Sequence, residues 1–139
     1  MKNKLVIKKN LFLAVWPLMF FMVRLYGYYE IGETQKIFWH CNVVNLMLVL
    51  GLMFEKSELI WLSTISLMVG NFIWISDLLT GGNFETISLL THLGSCVIGI
   101  IACHYYPHKK TSRLALLYTV NLILISYHFT SPIFNINLA

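Results

Sequence analysis

Seven polar or ionisable residues lie inside the apolar runs of this 139-residue chain: Arg24, His40, Asn45, Asp77, His92, Asn121 and His128. Such groups are expensive in hydrocarbon, so they face a bundle interior, a partner or a water-filled cavity. His92 carries the most chemistry, because a neutral imidazole can act as a base, a proton shuttle or a metal or haem ligand. Asp77 can orient that base through a hydrogen bond; it can also pair with Arg24 or close its own helix. Cys41 brings a thiol, which becomes a nucleophile when a base activates it. His40 is its chain neighbour, but successive helical residues do not face each other. His92, from another segment, is the base that can pair with it. The bland alternatives are polar glue between helices for His92 and small packing residues for Cys41, Cys96 and Cys103. The cysteines are odd in number and sit in apolar runs, which argues against a disulfide framework. His40, His92 and His128 suffice in number for a metal or haem site. No two of them have i,i+3 or i,i+4 spacing, and no metal site is assigned. His104 and His108, beside Lys109 and Lys110, read as solvated or touching anionic head groups.

The elements that must position these groups follow from composition. The chain is 58% hydrophobic and 12% charged, with a mean hydropathy of +0.71. A soluble domain of this size has no interior large enough for that much apolar surface. The expectation is an all-α integral membrane protein, a single bundle over 1–139 with no soluble domain. A spanning helix needs roughly 20 apolar residues. Charged or turn-forming breaks divide the chain into five such spans, at about 11–29, 37–54, 58–79, 86–106 and 114–134. Their short connections make consecutive helices antiparallel neighbours. The net charge of +4 is concentrated in Lys2, Lys4, Lys8, Lys9 and in Lys109, Lys110, Arg113. That pattern marks membrane edges and excludes a nucleic-acid face, which needs exposed cations with stacking aromatics.

Lys/Arg asymmetry sets the expected orientation. The N-terminal tail, the Glu55–Glu58 loop and the Pro107–Arg113 loop hold nearly all the cations, against Lys36 alone on the other side. The N-terminus is therefore expected in the cytoplasm and the C-terminus outside, in a cell membrane of bacterial inner-membrane type. Tyr26, Tyr28, Tyr29, Phe38 and Trp39 read as an outer aromatic belt, with Tyr105 and Tyr106 at the inner edge. The first span has a basic start and an apolar run, but no small-x-small cleavage site follows, so it reads as a retained span. Pro17 is a point where it can kink. Pro132 should break the fifth helix, leaving Asn135 and Asn137 to fray or to fold over the outer mouth.

Helical spacing assigns faces. Ser63, Ser66, Gly70 and Asp77 share one face of the third span, and His92, Ser95, Gly99 and Cys103 one face of the fourth. Small residues at four-residue spacing mark a close helix contact, which turns Asp77 and His92 inward. Cys41, Asn42 and Asn45 share an arc of the second span, and Tyr118, Asn121 and His128 a face of the fifth. At a rise of about 1.5 Å per residue, most of the polar groups fall within roughly 12 Å of the outer end. They form one outer-leaflet layer drawn from all five spans.

The runs Phe38-Trp39-His40-Cys41-Asn42, Trp74-Ile75-Ser76-Asp77-Leu78-Leu79, Leu90-Thr91-His92-Leu93-Gly94 and Asn135-Ile136-Asn137 resemble a group of uncharacterised small bacterial polytopic membrane proteins, over spans two to five. That group brings no reaction with it. The chain is also similar to YwaF-like integral membrane proteins and their relatives with acyl-transfer activity. His40 and Cys41 match that family's early His/Cys motif and His92 its later histidine, although the family separates the first two and has more spans. The resemblance implies acyl transfer, and with the outer-leaflet position of the polar layer it points to acyl transfer or hydrolysis on lipids. His92 is then the base and Cys41 the nucleophile; the layer adds Asp77 as orienter and Arg24, His40, Asn45 and His128 as substrate binders. Two other classes stand beside it: a non-enzymatic membrane subunit with other subunits as partners, and a cofactor or ion site on the outer histidines.

Overall fold

The computed structural model describes the backbone of residues 2–79, 81, 86–107 and 117–121, and side chains from Asn10 onward within them, save Gln35 and Asp77. All the regular elements of these residues are helical. Helix α1 runs over Lys2–Glu30 and continues through Pro17, whose ring removes one helical hydrogen bond. Its end is a tight turn in which Gly32 adopts φ +73° and the Glu33 N–H returns to the Tyr28 carbonyl at 2.8 Å. A left-handed residue of that kind is the usual way to stop a helix.

The second apolar segment is not one continuous helix over 37–54. A 3₁₀ turn over Thr34–Phe38 comes first, and Trp39 takes an extended ψ of 143°. Helix α2 then covers only His40–Met53. The polar stretch Glu33–Lys36 explains the break: these two side chains form an ion pair, and Lys36 also lies 5.5 Å above the Trp39 ring. The Asn42 side chain closes the turn by donating to the Lys36 carbonyl at 3.1 Å.

Helix α3 spans Ser57–Leu79. The rod that follows comprises α4 (Thr86–Leu89), a π-helical turn (Leu90–Gly94) and α5 (Ser95–Tyr105). Of the fifth expected span, 114–134, residues 117–121 are helical; His128 and the chain's end lie outside the described residues. Among the described residues, three helical stretches are long and apolar enough to cross a membrane: Asn10–Glu30, Ser57–Ser76 and Thr86–Tyr105.

Helix α2 packs between α1 and α3, and α3 packs on α5. Ala14, Val44, Leu48, Leu52, Ile60, Leu67, Cys96 and Ala102 form the apolar centre. The interior is otherwise polar, with Asn42, Asn45, Ser63, Ser66, Thr91 and Ser95 all at 0% exposure. The outside is apolar: Phe12, Phe72, Val97 and Ile100 all stand exposed. This distribution reverses that of a water-soluble bundle, where polar groups are mostly outside.

The end that gathers the α2–α3 turn is locked by side chains. Asn10 donates to Glu55 at 3.1 Å and is hydrogen-bonded to the Tyr106 hydroxyl. The Trp61 indole N–H donates to the Tyr106 carbonyl at 2.6 Å. Two close approaches hold the rods together. A Cβ on Gly51 would meet Ile60 at 3.0 Å, and one on Gly99 would meet the Thr64 hydroxyl at 2.5 Å.

Candidate functional site

The opposite end of the bundle gathers the residues singled out from the sequence. The C-terminal part of α1 brings Arg24, the start of α2 brings His40, Cys41 and Asn45, and the π-turn brings His92. Arg24, His40 and His92 are each 8% exposed. The Arg24 guanidinium is within electrostatic range of both Cys41 and His92, and His40 is within range of His92. Arg24 also lies 5.4 Å from the centre of the Tyr28 ring. Cys41 is half-buried and is a free thiol.

The π-turn shapes the centre of this site. Such turns insert one extra residue into a helix and recur at functional sites. Here the Thr91 hydroxyl bonds back to the Ile87 carbonyl at 2.8 Å, a contact that bends helices. Three helices grip the turn. From α1, the Phe20 ring lies 3.0 Å from where a Cβ on Gly94 would stand, so a larger residue there would collide. From α2, the Asn45 amide donates to the Thr91 carbonyl at 3.4 Å. From α3, the Asn71 amide donates to the His92 carbonyl at 3.3 Å. The His92 ring is stacked on Trp74, with centroids 5.0 Å apart and planes within 5°.

His40 packs against Gly70, its Cδ2 lying 3.9 Å from the position a Cβ there would take. A methyl group at this position would meet the ring at ordinary van der Waals distance. The Ser66 backbone lies beside the ring, and neither ring nitrogen has a well-formed hydrogen bond among the described residues. The His92 Nδ1, the Ser95 hydroxyl and the side-chain oxygens of Asn42, Asn45 and Asn71 are likewise buried without a hydrogen bond among the described residues. Buried polar atoms are nearly always bonded. Their accumulation at one end of the bundle sets this layer apart from a packed core.

Asp77 belongs to the last turn of α3, and its side chain is outside the described set; one face of the His92 ring is covered by Trp74. Asn121 is exposed on the 117–121 helix and bonds its own Leu117 carbonyl at 2.8 Å, so it does not join the layer. That helix docks instead through Thr119, 2.7 Å from the Ser66 hydroxyl. His104 is exposed at the other end of the bundle. Among the described residues, no three His, Cys, Asp or Glu side chains come together as metal ligands would.

Asn71 and the role of Trp74 escaped the sequence reading. Asn71 is an amide in an apolar run, the same signal that marked Asn45. The stripe from Ser63 through Gly70 drew attention one residue away. The π-turn has no comparable signature, since Leu90–Gly94 continues the helical pattern around it.

No protein-family profile matches the chain, and no curated protein or solved structure is similar to it.

Proposed function

We propose that this chain is a multi-pass integral membrane protein of a bacterial inner membrane, with its N-terminus in the cytoplasm and a lipid acyl-transfer or hydrolysis site in the outer leaflet. The observation that carries the reading is that Arg24, His40 and His92, buried and drawn from three elements, lie within electrostatic range at one end of the bundle, where both His40 nitrogens and the His92 Nδ1 lack partners among the described residues. The membrane setting is supported by the apolar exterior around a polar interior. The cation asymmetry of the loops supports the orientation.

In this reading His92 takes the proton from the attacking group, a water molecule or the Cys41 thiol, as it adds to the ester carbonyl. The proton then passes to the departing alcohol. Arg24 offers positive charge to the phosphate of the head group or to the oxyanion. Asp77, one helical turn beyond Trp74, orients or balances the pair, while His40 and His128 contact substrate. Asn45 changes role: its amide is tied to the Thr91 carbonyl, so it acts on the turn and not on the oxyanion.

The test is phospholipid turnover by the purified protein in liposomes, read as lysolipid by mass spectrometry. His92→Ala should abolish turnover above the uncatalysed background. Turnover equal to that of the unaltered protein would remove His92 from the mechanism.

A further inference from the structure

We infer that Asn45 and Asn71 are positioning residues that fix the backbone of His92, an inference that rests on His92 being the working base. The two amides bind successive carbonyls, those of Thr91 and His92. These carbonyls belong to the peptide planes on either side of the His92 Cα. Holding both planes fixes the two backbone torsions of that residue, since each peptide unit is rigid. The amides come from different helices, α2 and α3, so the turn is clamped from two directions.

A π-turn needs such support. Its extra residue pulls carbonyls away from their helical donors, and inside a membrane no water replaces the lost bond. The His92 carbonyl also receives the Ser95 N–H, so Asn71 supplies its second bond. The Asn71 helix carries the remaining constraint. Trp74 stands one turn further along α3 and lies flat on the imidazole. Asn71 thus sets the main chain of His92, and Trp74 sets its ring. Asn71 and Asn45 are 7% and 0% exposed, so both are enclosed with the turn they hold. Mere interhelical glue would not have to address both peptide planes of the histidine that stacks on Trp74.

The experiment reads the ring stack directly. Protein labelled with 5-fluorotryptophan gives a Trp74 resonance, assigned by its loss in Trp74→Phe. The shift between the unaltered protein and His92→Ala measures the contribution of the stacked imidazole. In the double variant Asn45→Leu/Asn71→Leu, the resonance should move most of the way to its His92→Ala position. Lipid turnover should fall roughly 10²-fold, as expected for a misplaced catalytic group. An unmoved resonance overturns the inference. This readout does not need turnover, so failure of the enzymatic reading is seen separately. A second measurement needs no variant: the side-chain amide protons of Asn45 and Asn71 should be strongly protected from exchange with solvent. Exchange at the rate of a free primary amide also overturns the inference.

Discussion

The Trp74 indole lies parallel to the His92 imidazole, 5.0 Å between centroids, which joins α3 to the π-turn through two aromatic faces. Aromatic pairs contribute about 0.5–1.5 kcal/mol beyond their area burial. Trp74→Leu should therefore lower thermal stability modestly, and lipid turnover by more than that loss alone implies. Trp74→Phe keeps a ring face and should retain most of both. The comparison is made by circular-dichroism melting beside the liposome assay. Equal turnover in the Leu and Phe variants would show that the stack does not orient His92.

The proposed orientation makes a labelling outcome. Thr34 in the α1–α2 connection and Lys56 in the α2–α3 connection are both exposed, and they lie on opposite sides of the bundle. In a background with Cys41, Cys96 and Cys103 replaced, Thr34→Cys should react with a membrane-impermeant maleimide on intact cells. Lys56→Cys should react only after the membrane is opened. The reverse pattern would invert the topology and place the His92 layer in the inner leaflet.

At the other end, Tyr106 is a shared partner. Its carbonyl takes the Trp61 indole N–H and its hydroxyl is bonded to Asn10. Trp61→Phe keeps the ring and deletes the donor, which should cost about 1 kcal/mol where the carbonyl can still be hydrated. Asn10→Ala should cost a similar amount. Because both contacts act through one residue, the double variant should depart from additivity by about 0.5 kcal/mol or more. Strict additivity in denaturation measurements would mean that the two contacts act independently.

What the sequence could reveal depended on whether a feature has a period. Apolar run lengths located α1, α3 and the Thr86–Tyr105 rod, because burial in lipid demands long uninterrupted stretches. Small-residue spacing located Gly99, where α3 and α5 nearly touch, and Gly70, which borders the His40 ring at ordinary contact distance. The 3₁₀ turn before His40 was not legible, since Phe38 and Trp39 are as apolar as the helix they precede. Nor was the π-turn, which depends on contacts from Phe20, Asn45 and Asn71, residues remote in sequence. Polar residues could be sorted by depth, but only packing tells which amide meets which carbonyl. Hence Asn71, overlooked, sits at the centre, while Asn121, read as the deepest of the polar groups, faces outward.

The contact between α3 and α5 offers a test that does not depend on any activity. A Cβ on Gly99 would stand 2.5 Å from the Thr64 hydroxyl and 3.1 Å from its Cβ and methyl carbon. The Thr64 hydroxyl cannot simply swing away, because it donates to the Ile60 carbonyl at 2.6 Å and accepts from the Cys103 thiol at 3.5 Å. Gly99→Ala should therefore force the helices apart, at a cost of about 1–3 kcal/mol for an overpacked site. Thr64→Ala should cost less alone, since the Ile60 carbonyl keeps its helical hydrogen bond. Combined, the two substitutions relieve most of the collision, because the Thr64 hydroxyl and methyl go and its Cβ alone stays close, at 3.1 Å. The double variant should thus recover much of the stability lost in Gly99→Ala. Gly27→Ala is the control, with nothing within 4 Å of its added Cβ, and should be neutral or slightly stabilising. If Gly99→Ala melts like Gly27→Ala, or if Thr64→Ala brings no recovery, α3 and α5 do not approach at this point.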